Sequence, residues 1–460
     1  MKFKKVVAAG LTAAMAASLA ACGSGSSNSG ASSDIKYSDI TLGETYSDVS
    51  ATIKVLTNRT DMLKDDYKGK NWDAYVKEFN ELYPNIKVEF DGITNYAEDS
   101  LIRLSSGDWG DVMLIPEVDK QELPNHFLSY GDLDSMNSQV KYANQCEYNG
   151  QVYGVASSAD ARGLVYNKKV FQEAGITELP KTPEEFQEAL KKIKDNTDAV
   201  PLYTNYVSGW TMTAWDDYIG ATSTGDKNYK NNVMLHTSNP FSDTNDGTHP
   251  YSVYKVLYDA VANGYTEDDF STTDWETSKT MLNQGKIGCM ALGSWSYLQM
   301  QQAGPNASDI GYMAFPISEN GKQYVTTSPN YKWGINVKSS EDNQKASMVF
   351  VKWLTEKSKF AYNEGGLPIK VDDNDYPEAF QGMVQNNVEF ITDEPAVSGE
   401  ESLLNDLNAD SELMISAGKE KIQAIIEHAA KKDESFDDIM KEWNEKWTKA
   451  QESNNVTVDK

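Results

Sequence analysis

Between Ile53 and Ile115 three short apolar runs alternate with two stretches whose apolar residues recur at helical spacing, and this alternation restricts the possible folds more than any other feature. Ile53-Lys54-Val55-Leu56 reads as a strand, and Trp72, Tyr75, Val76, Phe79, Leu82 and Tyr83 then line one face of an amphipathic helix. Pro84-Asn85 breaks that helix, Ile86 to Phe90 predicts a second strand, Leu101 and Leu104 mark a second helix, and Val112 to Ile115 a third strand. Each crossover helix returns the chain in the same direction, so the order β-α-β-α-β predicts an α/β protein with a parallel sheet wrapped by helices.

A second run repeats the theme. Strands are predicted near Val152 to Val155 and Leu164 to Tyr166, followed by a helix from Lys169 to Ala174 that Gly175 stops. Thr182-Pro183-Glu184-Glu185-Phe186 carries a capping Thr, Pro at the first helical position and Glu three residues after the cap, with Phe186, Leu190 and Ile193 on one face. Further strands are predicted at Lys286 to Leu292, Ile310 to Phe315 and Trp333 to Val337, and helices from about Glu341 and through the C-terminal third. Ser208 to about Pro250 is rich in Gly, Asn, Asp, Thr and Trp and weakly periodic, which predicts a long functional or mobile loop.

The N-terminus reads as an address. Met1 to Lys5 is basic, Val6 to Ala21 is apolar and shorter than the ~20 residues a membrane span needs, and Leu19-Ala20-Ala21-Cys22 precedes a Ser/Gly/Asn run to Ser33. This pattern resembles the bacterial lipoprotein cleavage box, with residues 1–21 as signal peptide, Cys22 as the lipidated first residue and residues 22–50 as a flexible tether. The mature domain is then expected outside the cytoplasm, anchored by lipid to the outer face of the cell membrane. Removal of Lys2, Lys4 and Lys5 makes the net charge more negative than the −27 of the whole chain, a balance that repels phosphate backbones and argues against nucleic acid. An 11% aromatic content excludes a disordered acidic chain.

Catalytic signatures are missing: the sequence contains no HExxH, GxSxG, Walker loop or Gly-rich dinucleotide fingerprint. Asp243-Thr244-Asn245-Asp246-Gly247 resembles a calcium loop, but its glycine falls one position early and no Glu follows at the twelfth. Cys146 and Cys289 lack CxxC spacing, and Cys289 in the run Ile287 to Leu292 reads as a buried thiol. Neither metal nor cofactor is expected.

In order and spacing, Ile53 to Asp61, Ser106 to Val112, Gly163-Leu164-Val165-Tyr166-Asn167-Lys168 and Ala291-Leu292-Gly293-Ser294-Trp295 resemble the extracellular solute-binding proteins of ABC importers, the family that includes maltose-binding protein. Asp309 to Tyr312, Trp333 to Val337 and Gly365 to Ile369 extend the match. The resemblance implies a periplasmic-binding-protein-like fold: two α/β lobes around a hinge, with a ligand cleft between them that closes on its solute. Lobe one would hold residues 51–160 and 310–360, and lobe two residues 161–309 and 361–460. It further implies a non-enzymatic monomer that hands its ligand to an ABC permease.

Candidate ligand contacts follow from family position and from chemistry together. Asn58, Arg59, Thr60 and Asp61 follow the first strand and mix donors with acceptors suited to sugar hydroxyls, with Arg59, one of three arginines in the chain, as principal reader. Asp111 and Glu117 flank the third strand. Asp160 and Arg162 lie at the crossover between lobes, where they either bind ligand or lock the hinge. A flat apolar ring matches the C–H face of a pyranose, so Trp210, Trp275, Trp295 and Trp333 are candidate platforms, whereas Trp72, Trp353, Trp443 and Trp447 sit at helical spacing and read as core. The expected ligand is a neutral oligosaccharide. Rival readings are peptide or polyamine capture on the same fold, a surface adhesin holding polysaccharide, or a glycosidase, which needs two carboxylates about 5 to 9.5 Å apart across a cleft.

Overall fold

The alternation of apolar runs and amphipathic helices becomes a mixed sheet in the computed structural model, which describes residues 35–458 of the chain. Its strands in chain order are β1 (Ala51–Thr57), β2 (Ile86–Gly92), β3 (Val112–Leu114), β4 (Gly131–Asp132), β5 (Glu147–Tyr148), β6 (Gln151–Val152), β7 (Val155–Asn167), β8 (Val200–Leu202), β9 (Ile287–Gly293), β10 (Ile310–Ala314), β11 (Tyr324–Ile335) and β12 (Glu389–Ile391). The main sheet runs β2-β1-β3-β11-β7-β9-β8, with β10 also on β7 and β12 also on β11, while β4, β6 and β5 form a small separate sheet. As predicted, β1 is parallel to both β2 and β3, with Val55 opposite Phe90 on one side and Val112 on the other.

β7 joins the two halves of the main sheet. Its residues Val155 to Ala161 pair antiparallel with β11, and from Arg162 onward it pairs with β9 and β10. The small residues Ala156 to Ala161 suit a strand covered on both faces, and all six are buried. With β11 lying beside it, β7 carries the chain between two α/β lobes, and the change of partner falls between Ala161 and Arg162.

Two large apolar clusters fill the molecule, and the first continues from the β1–β3 side past β7 to Leu282, Ile287, Met290 and Ile310. In the first, Trp72 stacks on Phe90 at 4.3 Å and on Phe360 at 5.6 Å, while Phe79 packs against Trp353 at 5.4 Å. The helix Trp72–Leu82 supplies this face because Asn71 caps it, accepting from the Ala74 N–H at 3.0 Å. In the second lobe Tyr218 stacks on Phe315 at 4.1 Å, and Phe241 packs edge-on against Trp443 and Trp447. A fully buried aromatic side chain contributes about 1.5–3 kcal/mol. The four tryptophans read as core are all buried.

Several expectations change. From Ile35 the chain is not a tether: the Tyr37 N–H donates to the Tyr130 carbonyl at 2.9 Å and its ring is buried in the first core. The signal segment, Cys22 and the rest of residues 1–34 lie outside the described residues. After residue 360 the chain stays with the first lobe for a further stretch, since Leu367 bridges Ala159 and Lys370 bridges Val140. The stretch from Ser208 to Pro250 is a packed wall of short helical turns in which Met212, Trp215, Ile219, Leu235 and Phe241 are buried. Its apolar residues fall out of register because the turns are short and of different pitch. Cys146 and Cys289 are both buried and free. Among the described residues, no helix is long and apolar enough to cross a membrane.

Candidate functional site

The C-terminal ends of β1, β8 and β9 and the middle of β7 and β11 carry the polar and aromatic groups that the sequence singles out, and most of these converge. On the second lobe three indoles from three separate segments meet. Trp210 comes from the turn Gly209–Asp217 after β8, Trp275 from the start of the helix Trp275–Asn283, and Trp295 from the turn after β9. Their ring centroids lie 5.1, 5.6 and 5.7 Å apart with the planes inclined, and Trp210 remains 50% exposed. An exposed ring held by two others is a preorganised apolar shelf, since its own position costs no further ordering when a ligand arrives.

The hinge residues stand beside this shelf. Gly293, paired with Arg162 across β9 and β7, leaves the space in which the two sides meet: a Cβ there would lie 2.5 Å from Trp295 Nε1 and 2.7 Å from Arg162 Nη1. Arg162 donates from Nη2 to Ser328 Oγ at 3.1 Å, and its Nε lies 3.2 Å from Asp217 Oδ2. Asp160, on the same face of β7, accepts from Asn330 Nδ2 at 2.8 Å. The two hinge residues therefore do not pair with each other; each has a separate partner. Burial raises the Asp160 carboxyl above its ordinary range, opposed by the Arg162 charge and the Asn330 hydrogen bond.

The first lobe contributes a second polar group. Arg59 donates from Nε and Nη2 to Asp61, both at 2.9 Å, from Nη2 to Tyr67 Oη at 2.8 Å and from Nη1 to Tyr331 Oη at 3.1 Å, and Nη1 lies 2.7 Å from Glu364 Oε2. Tyr67 in turn donates to Glu364 Oε2 at 2.8 Å. The guanidinium fork is thus occupied by protein acceptors, so Arg59 organises this wall through Tyr67, Tyr331 and Glu364, which corrects its expected part as principal reader. Burial pushes the Tyr331 hydroxyl up to about 12 against the pull of the Arg59 charge, so it stays protonated at neutral pH. Asn58 is exposed, and Thr60 half-buried, at the same rim.

Two further candidates are corrected outright. Asp111 lies at the opposite end of β3 from the cleft, where Oδ2 accepts from the Lys54 N–H at 2.9 Å and Oδ1 from Ser339 Oγ at 2.6 Å and Asn343 Nδ2 at 2.9 Å. It pins the start of the parallel strands. Trp333 is fully buried, its Nε1 donating to Ser157 Oγ at 3.0 Å. It faces the first core, where its ring packs edge-on against Trp72 at 6.4 Å. Glu117 is almost fully exposed after β3, with Lys332 Nζ 3.9 Å away.

Sequence reasoning missed Tyr67, Asp217, Asn330, Tyr331 and Glu364. Asp217 lies in the stretch marked as functional, and Glu364 directly precedes the Gly365-Gly366 pair of the family match, so both had a local signal. Tyr67, Asn330 and Tyr331 had none, because their role comes from strand pairing and the Arg59 fork.

Two α/β lobes, a crossing strand pair and a cleft with an aromatic shelf facing hydrogen-bonding groups define a protein that encloses a small polar solute. The chain belongs to the bacterial extracellular solute-binding proteins, whose family model matches residues 66–359. A manno-oligosaccharide specific solute binding protein of Bifidobacterium animalis subsp. lactis, solved with mannotriose, is 53% identical over 92% of this chain and 99% of its own, with a TM-score of 0.81. A second binding protein of an ABC transporter from that organism, solved with mannobiose, is 52% identical over 92% of this chain and 100% of its own, with a TM-score of 0.82. The multiple sugar-binding protein of Streptococcus mutans is 24% identical over 64% of this chain and 71% of its own length. Family membership makes the chain a binding protein and not an enzyme.

Proposed function

We propose that the protein captures a neutral oligosaccharide built of mannose units, closes its lobes around it and delivers it to the permease of an ABC importer. Solute capture and the extracellular setting follow from the family; the sugar is the finer step. The shelf of Trp210, Trp275 and Trp295 carries it, because its exposed apolar faces suit pyranose rings, with Asp160, Arg162 and Asp217 alongside as acceptors and donors for hydroxyls. Two relatives above 50% identity were solved with mannotriose and mannobiose, which supports the same sugar class here. Lipid on Cys22, exposed after cleavage behind Ala21, would hold the protein at the outer face of the cell membrane, as a monomer that docks to its permease.

The test is a thermal-shift and calorimetric panel on the soluble domain from about Ser33. It compares mannobiose, mannotriose, maltotriose, xylotriose, uronic acid oligomers, spermidine and short peptides. A ligand bound only by the folded state raises the melting temperature. The expected outcome is a shift with the manno-oligosaccharides and little with the others. A shift confined to spermidine or peptides overturns the carbohydrate reading, and glycan breakdown in the mixture overturns the assignment as a pure binder.

A further inference from the structure

Two of the three shelf indoles stand on neighbouring segments that are tied to each other beneath the surface. One segment leaves β8 at Leu202 and runs to Trp210; the other follows the helix His249–Ala262 and runs from Tyr265 to Trp275. The Tyr265 carbonyl accepts from the Leu202 N–H at 2.9 Å. Further along, Glu267 accepts from the Thr204 N–H at 3.0 and 3.1 Å and from the Thr204 hydroxyl, and Thr273 Oγ1 accepts from the Val207 N–H at 2.8 Å. Between these ties Asn205 takes a left-handed conformation, φ 57°, and Tyr206 donates its N–H to Thr204 Oγ1 at 3.2 Å. The path of the chain toward Trp210 is therefore set by side chains of the segment that carries Trp275.

Glu267 is buried, and no Lys, Arg or His pairs with it among the described residues. A neutral side chain would hold the Thr204 N–H at less cost than a buried carboxyl. What the carboxylate adds is direction. Ionised, it only accepts, so the Thr204 hydroxyl donates to it and offers its oxygen to the Tyr206 N–H; protonated, one of its own oxygens becomes a donor that competes for the same hydroxyl oxygen. Burial lifts the carboxyl to about 7, so both forms occur near neutral pH. The other titratable groups at this place are the Tyr203 hydroxyl, on which both Glu267 and Asp274 act, Asp269, which accepts from the Ser271 N–H at 2.9 Å, and Glu427, which accepts from Tyr206 Oη at 2.5 Å.

We propose that Glu267 and Thr273 are positioning residues of the binding site: holding the chain between Thr204 and Val207, they set Trp210 against Trp275, and the Glu267 carboxylate closes a hydrogen-bond chain that its protonated form leaves open. The inference rests on the shelf as the sugar-binding surface and adds to it a dependence on pH. Mannotriose is titrated calorimetrically at pH 6, 7 and 8 into wild type, Glu267→Gln, Thr273→Val and Trp210→Ala, with the melting temperature of each free protein recorded as a control for folding. Glu267→Gln keeps the shape and an oxygen for the Thr204 N–H but cannot ionise. The raised Asp160 carboxyl is common to wild type and this variant, so its own titration cancels in the comparison.

Wild type is expected to bind about fivefold more tightly at pH 8 than at pH 6, the scale on which a charge-assisted hydrogen bond exceeds a neutral one, and to release protons on binding at pH 7. Glu267→Gln is expected to show neither effect, and Thr273→Val to weaken binding about fivefold at every pH while keeping both. A pH profile that is flat in wild type, or unchanged by Glu267→Gln, overturns the inference and leaves the carbohydrate reading standing; the wild-type profile decides even where a variant does not fold. Trp210→Ala binding as tightly as wild type, or wild type binding no neutral oligosaccharide, overturns the reading on which the inference rests.

Discussion

Trp295 stands where the shelf, the hinge arginine and the end of β9 meet, so its replacement isolates the shelf's contribution. Removing the indole takes one apolar face from the ligand, a loss of about 2 kcal/mol, or roughly thirtyfold in Kd. Trp295→Ala should therefore weaken oligosaccharide binding by that factor in calorimetry while leaving the melting temperature of the free protein almost unchanged, since the ring is only partly buried. Glu267 is a different kind of residue. Buried beneath the end of β8, it accepts from the Thr204 N–H at 3.0 and 3.1 Å and from the Thr204 hydroxyl. Burial pushes its carboxyl up to about 7, although the Thr204 bonds favour the ionised form. The folded state thus holds its proton more tightly than the unfolded chain does, so the associated stability is complete below the unfolded value near 4.5 and is lost as pH rises through about 7. The loss amounts to about 3 kcal/mol. Melting curves from pH 5 to 8 should show wild type losing stability relative to Glu267→Gln, and parallel curves would refute the assignment.

At the scale of elements, the start and the buried face of the helix Pro183–Asn196 were readable in the sequence. Thr182 Oγ1 accepts from the Glu185 N–H at 3.3 Å, Pro183 occupies the first helical position, and Phe186, Leu190 and Ile193 are buried. Glu185 reaches back to the Lys181 N–H at 2.7 Å, one residue further than the usual capping box. Thr182→Ala should cost about 1 kcal/mol of stability by denaturant unfolding, without altering ligand affinity. The segment Gly209–Asp217 lies at the other extreme. Asp216 anchors it in the second core, accepting from Tyr254 Oη at 2.7 Å, Lys421 Nζ at 2.5 Å and the Ser416 N–H at 2.6 Å. Asp217, the next residue, turns to the cleft and Arg162. Nothing local distinguishes two adjacent aspartates, one of which builds the lobe while the other faces the site; partners distant in sequence decide it.

For the whole molecule, β7 and β11 link the two lobes as continuous strands, so bending of these strands is what lets one lobe move against the other. Ligand-driven closure should lower the radius of gyration in solution X-ray scattering, and saturation at a hundredfold excess over Kd should add about 2.7 kcal/mol of stability. An unchanged radius with tight binding would mean that the cleft is already closed when empty. The α/β class, the parallel start of the sheet, most strands and the family were legible in the sequence, because they rest on hydrophobic periodicity, capping residues and the order of short segments, which are local or additive along the chain. Trp210, Trp275 and Trp295 were singled out in the sequence and do meet, but Trp215 and Trp333, equally outside helical periodicity, are buried, so position off a helix face does not by itself separate shelf from core. Which side chains face the cleft was not legible. Strand pairing buries Trp333, strand direction carries Asp111 to the far end of β3, and distant tyrosines and carboxylates occupy Arg59. Only the tertiary structure decides these, because a side chain's availability to a ligand depends on what else reaches the same atoms, and those partners lie up to hundreds of residues away along the chain.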